Sequence, residues 1–255
     1  MKMEEKMFKV KFLLMVGILM TGLLVFNQDA HAVTLDLSAV PSQDTINGAI
    51  FSRTNILGQG TGNFDPFVRL QRNGEGGSGV ESGYNTDGTK EFDTKGGKWT
   101  HSILLNDIPL VNIDGTDYRQ ILLDAAEPGG KGNTLTLSKF ELYLLGSGNI
   151  TGYPGNFPSS ALKYDFTGGE YDSILLDNIT GNGEADMFAY IPNSKFTGTD
   201  QYLYLYSQFD DAAGSFEEWG VLNDKAQGTP EPATMALFGL GLAGLALRRK
   251  RRSNV

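Results

Sequence analysis

The chain has 255 residues, a formal net charge of −9 and no cysteine, so a disulfide scaffold, thiolate catalysis and cysteine metal clusters are excluded. The charge is unevenly placed. Residues 33–229 carry 12 basic against 26 acidic side chains, a net of −14, which excludes a nucleic-acid binder working through a basic face.

The first element in chain order is an address. Lys2, Lys6, Lys9 and Lys11 lead into fifteen uncharged residues, 12–26, and Ala30-His31-Ala32 puts small side chains at the two positions a signal peptidase inspects. That order predicts a secretory signal peptide over residues 1–32, cleaved after Ala32. An uncleaved anchor is the other reading, but the apolar run falls short of the roughly 20 residues that span a bilayer.

Residues 33–228 read as the working domain. Glycine is its main punctuation, 28 of the 198 residues from 33 to 230, about twice the usual frequency. Residues 58–98 are especially rich in it. There Phe64, Phe67, Val68 and Leu70 predict one strand, followed by a long turn region. Strand-like runs follow at 100–105, 118–123, 134–137, 140–145, 162–166, 173–176 and 187–191, divided by turn signals such as Asp114-Gly115, Gly152-Tyr153-Pro154-Gly155 and Gly168-Gly169. The strings Ile121-Leu122-Leu123-Asp124 and Ile174-Leu175-Leu176-Asp177 read as core strands covered on both faces. In 199–213, Tyr202, Tyr204 and Tyr206 alternate with Leu203 and Leu205, so the tyrosines share one face of a strand. Many short strands without a sustained helical period predict an all-β sandwich or jelly-roll-like ectodomain.

The last element is a second address, residues 229–252. Pro230-Glu231-Pro232 makes a stiff, exposed approach, because proline neither continues a helix nor donates to a sheet. The uncharged stretch 233–247, with Gly239, Gly241 and Gly244, predicts a short apolar transmembrane helix. Arg248, Arg249, Lys250, Arg251 and Arg252 then stop transfer and hold the tail in the cytoplasm. This tripartite order resembles the PEP-CTERM sorting signal of bacteria that make exopolysaccharide. The resemblance implies that an exosortase, a membrane-embedded cysteine peptidase-like enzyme, recognises Pro230, Glu231 and Pro232 and processes the chain. An ordinary tail anchor is the other reading and gives the same topology. The strings Asp65-Pro66-Phe67-Val68-Arg69-Leu70-Gln71, Gly83-Tyr84-Asn85-Thr86-Asp87-Gly88, Gly115 to Asp124, Asp186-Met187-Phe188-Ala189-Tyr190-Ile191-Pro192 and Ser215-Phe216-Glu217-Glu218-Trp219 are similar to a group of PEP-CTERM ectodomains. That likeness implies one family-specific domain and no established activity.

The domain offers little chemistry. Once His31 leaves with the signal, His101 is the remaining histidine, and it sits in a strand-like run with no Gly-x-Ser-x-Gly elbow around any serine. One histidine and no cysteine exclude zinc catalysis of the common kind. Glu217-Glu218 beside Phe216 and Trp219 is the most suggestive carboxylate cluster for glycoside hydrolysis, yet neighbours on a strand face opposite ways. Asn182, Glu184 and Asp186 alternate as oxygen ligands that suit calcium, against the simpler reading of a solvated turn. The high negative charge favours divalent ions bridging the surface to anionic polysaccharide. Tyr202, Tyr204 and Tyr206 suit the apolar faces of sugar rings if exposed, and a core or packing role if buried.

The expectation is therefore an exported, non-enzymatic cell-surface or matrix protein, with no cofactor beyond calcium. Its expected partners are signal peptidase, exosortase, exopolysaccharide and, before processing, the inner membrane, with no nucleic acid. Alternatives are a carbohydrate-binding module using the tyrosine row, and a glycan-processing enzyme.

Overall fold

The computed structural model describes residues 33–54, 64–72, 79–126, 134–177, 186–212 and 216–222. The two addresses lie outside these residues, including Ala30, Ala32, Pro230, Glu231, Pro232, the span 233–247 and the basic tail 248–252, as do Asn182 and Glu184. Among the described residues no helix is long and apolar enough to cross a membrane.

The described strands are β1 (Thr34–Asp36), β2 (Ser42–Ile46), β3 (Ala49–Arg53), β4 (Phe64–Leu70), β5 (Gly79–Tyr84), β6 (Ile103–Leu104) and β7 (Leu110–Ile113), then β8 (Thr116–Ala126), β9 (Leu135–Leu145), β10 (Leu162–Asp165), β11 (Ser173–Leu176), β12 (Met187–Pro192), β13 (Tyr202–Ala212) and β14 (Phe216–Leu222). They form two seven-stranded sheets. The front sheet runs β1-β11-β9-β13-β5, with β10 also on β9 and β6 also on β13; the back sheet runs β2-β3-β12-β8-β14-β4, with β7 also on β8. The fold is the all-β sandwich that the punctuation predicts. Among the described residues only the β1–β11 ladder is parallel.

Local chemistry sets the register. The β2–β3 hairpin turns on Asn47-Gly48 and the β7–β8 hairpin on Asp114-Gly115, each pair at positive φ. This is the two-residue turn whose twist matches the flanking strands, and Asn-Gly and Asp-Gly supply it most cheaply. In β9, Lys139 pairs Gln208 while Leu137 pairs Phe209, so Ser138 is an extra, bulged residue. The bulge moves the inward set from Leu135 and Leu137 to Phe140, Leu142 and Leu144; without it Phe140 faces out. A second bulge at Phe67 follows Pro66 in β4, an edge strand of the back sheet where a missing N–H is tolerated.

The core between the sheets is aromatic at its centre. Phe140 lies 4.9 Å from Trp219 and 5.7 Å from Phe51, ring centroid to centroid, and Phe209 stacks on Trp219. The indole of Trp219 donates to Ser207 Oγ across the sandwich at 3.0 Å, so its one polar atom is satisfied. Truncating Trp219 to alanine is expected to cost about 3–5 kcal/mol. Ile121, Leu122 and Leu123 are all buried, as their continuous apolar string predicts, whereas in the matching string of β11 Ile174 and Leu176 are buried and Leu175, on the outer face, is only half-buried.

Three local expectations change. The run 100–105 is a strand only at Ile103–Leu104, because its first part instead closes the edge of β4, His101 N–H donating to Phe67 O at 3.0 Å. The turn region 58–98 contains β5, whose inward positions Glu81 and Gly83 carry no apolar signal. Runs 134–137 and 140–145 are one strand joined through the bulge.

Candidate functional site

The tyrosine row lies where alternation puts it, on the outer face of the front sheet, with Leu203 and Leu205 turned into the core. It is not an open row. Tyr204 is 0% exposed, Tyr206 is buried and Tyr202 is half-buried. The cause is the segment 146–161, which folds back over the sheet as a roof. Tyr204 OH donates to Ser147 O (2.7 Å) and accepts from Ile150 N–H (2.9 Å). Phe157 wedges edge-on between Tyr84, Tyr143 and Tyr204 at 5.1–5.3 Å. The roof is tied down by Asp87 N–H to Gly148 O (2.8 Å) and Thr86 Oγ1 to Ile150 O (2.8 Å). Just before Thr86, Asn85 acts as a piece of strand, its amide donating to Leu203 O and accepting from Leu205 N–H.

Two carboxylates organise the outer aromatic layer. Glu141 Oε2 accepts from both Tyr143 OH and Tyr153 OH, each at 2.7 Å. Glu91 Oε2 accepts from Tyr84 OH and from Gly152 N–H, the latter at 2.8 Å. Burial raises the phenol pKa of Tyr84, Tyr143 and Tyr153, and the adjacent carboxylates raise it further. The Tyr84 bond in turn holds Glu91 below its ordinary value.

Phe92 crowns this layer. It is 54% exposed, and its ring meets Tyr84, Tyr153 and Tyr206 edge-on at 6.0–6.3 Å. Its φ is +55°, a left-handed conformation that costs a side-chain-bearing residue about 1–2 kcal/mol. The turn is held by Asp93 N–H to Ser82 O and Ser82 N–H to Asp93 Oδ2, both 3.0 Å. Sequence reasoning missed Phe92, Tyr153, Glu91 and Glu141. The available signals were an aromatic inside the Gly152–Gly155 turn and the outward phase of Glu141 on β9.

A cleft of about 680 Å³ opens at one end of the sandwich. It forms where β8 exchanges its partner β14 for β7, so Val221 and Leu222 splay away from Pro109 and Leu110. Asp65, His101, Asn106, Asp107 and Arg119 supply its polar lining. Arg119 is braced by Ile108 O (2.8 Å) and Asn193 Oδ1 (2.9 Å). His101 Nδ1 lies 2.8 Å from Ser102 O, and since a carbonyl only accepts, that nitrogen carries the proton. Ser102 Oγ–H donates a hydrogen bond to Asp87 Oδ2 (2.7 Å), and its N–H donates to Asp87 Oδ1. Burial opposes ionisation of Asp87, but the Ser102 bonds and Lys90 outweigh it and hold the pKa low. Histidine, serine and aspartate are thus neighbours without the serine-to-histidine bond of a nucleophilic relay.

The remaining carboxylates separate. Glu218 faces out and pairs with Arg69, whose guanidinium is sandwiched between Trp99 (3.8 Å) and Phe216 (4.3 Å). Trp219 turns into the core, so strand alternation turns Glu217 inward with it. Asp124 is the cross-strand partner of Glu218, and both are nearly fully buried. At the calcium candidate, Asp186 Oδ2 accepts from Ala125 N–H at 2.8 Å. The guanidinium of Arg53 binds the carbonyls of Leu37, Ser38, Asp177 and Asp186, placing a fixed positive charge there. Among the described residues no group of three or more His, Cys, Asp or Glu side chains is placed to hold a metal ion.

Comparison with known proteins bears on the C-terminal address. Residues 229–252 match the family of the PEP-CTERM protein-sorting motif. No curated protein and no solved structure matches the chain. The motif is a sorting signal, so it marks the chain for export to the cell surface, with an exosortase as the processing partner. On that match, the chain is one that carries a PEP-CTERM protein-sorting motif at residues 229–252.

Proposed function

We propose that this chain is a non-enzymatic component of the bacterial cell surface or extracellular matrix. A signal peptidase removes residues 1–32, the span 233–247 holds the exported sandwich at the inner membrane, and exosortase processing releases it. The observation that carries this reading is the sorting motif at 229–252, supported by five consecutive basic residues at 248–252 that fix the tail on the cytoplasmic side. The mature domain then works by being delivered and by what its surface touches. The test is Pro230, Glu231 and Pro232 together replaced by alanine in a host carrying an exosortase. The unprocessed form should accumulate in the membrane fraction; normal processing of the variant would refute the assignment.

A second reading, contact with exopolysaccharide, is favoured by the aromatic layer outside the front sheet. Above that layer Phe92 stands 54% exposed in a left-handed turn, and strained residues of this kind cluster at contact sites. Retention of the protein on a gel containing the producer's own exopolysaccharide checks this reading, and unretarded migration contradicts it.

A further inference from the structure

We propose that Phe92 and the carboxylates around it form a contact surface for a polysaccharide bearing free amino groups, a proposal that rests on the exopolysaccharide reading above. It moves the saccharide contact from Tyr202, Tyr204 and Tyr206, which the roof covers, to the ring that stands above them.

The surface has three parts. Phe92 gives an exposed aromatic ring, held from beneath by Tyr84, Tyr153 and Tyr206 so that it cannot fold into the core. Such a ring suits the C–H face of a pyranose and attracts a cation through its quadrupole. Around it stand Glu91, Asp93 and Glu141. Each is anchored by hydrogen bonds: Glu91 by Tyr84, Gly152 and the Tyr153 backbone, Asp93 by Ser82, and Glu141 by Tyr143 and Tyr153. All three side chains remain partly exposed beside the ring, where a carboxylate accepts from hydroxyl and ammonium groups.

Charge chooses among saccharides. A domain of net −14 with three carboxylates beside this exposed ring repels uronic acids, pyruvylated sugars and sulfated sugars. A protonated hexosamine answers both features at once, its ring lying on Phe92 and its ammonium among the carboxylates.

The test uses the full chain in detergent micelles, titrated calorimetrically with three hexamers: β-1,4-glucosamine, its fully N-acetylated form, and glucose. The glucosamine hexamer should bind best. Phe92→Gly relieves the left-handed backbone and leaves net charge unchanged, so the fold should survive; affinity for the glucosamine hexamer should fall roughly tenfold or more, and Phe92→Trp should restore it. Asp93→Asn should weaken the glucosamine hexamer selectively. Binding of glucosamine that is insensitive to Phe92→Gly would mean diffuse attraction of a polycation and overturn the proposal. Equal affinity for all three hexamers would overturn its charge requirement. If none binds while the wild-type and Phe92→Gly proteins are equally retained on the native exopolysaccharide gel, this surface is wrong and the broader reading stands; if neither is retained, both fall.

Discussion

Tyr153 lies flat on Tyr206, the ring centroids 4.0 Å apart and the planes within 14°. One ring belongs to a strand and the other to the roof, so this stack, with the Tyr153–Glu141 bond, fastens an irregular segment to a sheet. Tyr153→Ala should therefore cost about 2–4 kcal/mol and expose Tyr206, whereas Tyr153→Phe, which removes only the hydroxyl, should cost about 0.5–1.5 kcal/mol. Urea denaturation with proteolysis of the 146–161 segment separates the two effects. Equal losses in both variants would assign the fastening to the hydrogen bond rather than to the stack.

Glu81 is 0% exposed, and neither carboxylate oxygen has a hydrogen-bond partner among the described residues. A carboxylate taken out of water without compensation destabilises the fold. Glu81→Met is expected to raise stability by about 1–3 kcal/mol, read as a higher midpoint in thermal unfolding. A lower midpoint would mean that the carboxylate serves a bound group worth more than the desolvation it relieves.

Stability should fall away on both sides of neutrality. Tyr84, Tyr143 and Tyr153 have folded pKa values above the ordinary 10.0. Below pH 10 they are protonated folded and unfolded alike; above it the unfolded chain loses protons that the folded one keeps, so stability declines as pH rises. Glu91 has the opposite sign, lowered from 4.5, and Asp87 is lowered from 3.8. Their contributions are present above pH 4.5 and are lost as acid drives the pH down through the lowered values. Tyrosinate absorbance of the native protein should lag behind that of the unfolded protein. Glu141→Gln, by removing the neighbouring charge, should bring part of the titration to lower pH; an unshifted curve would leave burial as the whole cause.

Gly220 packs against Phe64, and a β-carbon there would lie 2.6 Å from both the Phe64 ring and the carbonyl of Asp65. Gly220→Ala should cost about 1–3 kcal/mol by forcing β4 away from β14. An unchanged midpoint in chemical denaturation would show that the edge strand moves freely.

Sandwich class was readable because each short strand carries its own alternation and turn residues. In β13 the phase of Tyr202, Tyr204 and Tyr206 against Leu203 and Leu205 was visible in five letters, and the structure keeps it. What alternation does not carry is the difference between facing away from the core and facing water. That difference depends on residues 146–161, which have no period and act through Ser147, Ile150, Tyr153 and Phe157 individually. Strand β5 was hidden for the converse reason: an inward glutamate and glycine erase the apolar half of the pattern. The opposite facing of Glu217 and Glu218 follows from strand geometry alone, but the partner of Glu218, Arg69, comes from a strand 149 residues earlier, a pairing that only the fold makes.

Intact-mass measurement of the native protein from membrane, surface and medium fractions tests the sorting assignment most directly. The prediction is a membrane form beginning at Val33 and retaining 229–252, with a surface or medium form that has lost the span 233–247 and the basic tail. A full-length 229–252 segment on all of the surface material would contradict it.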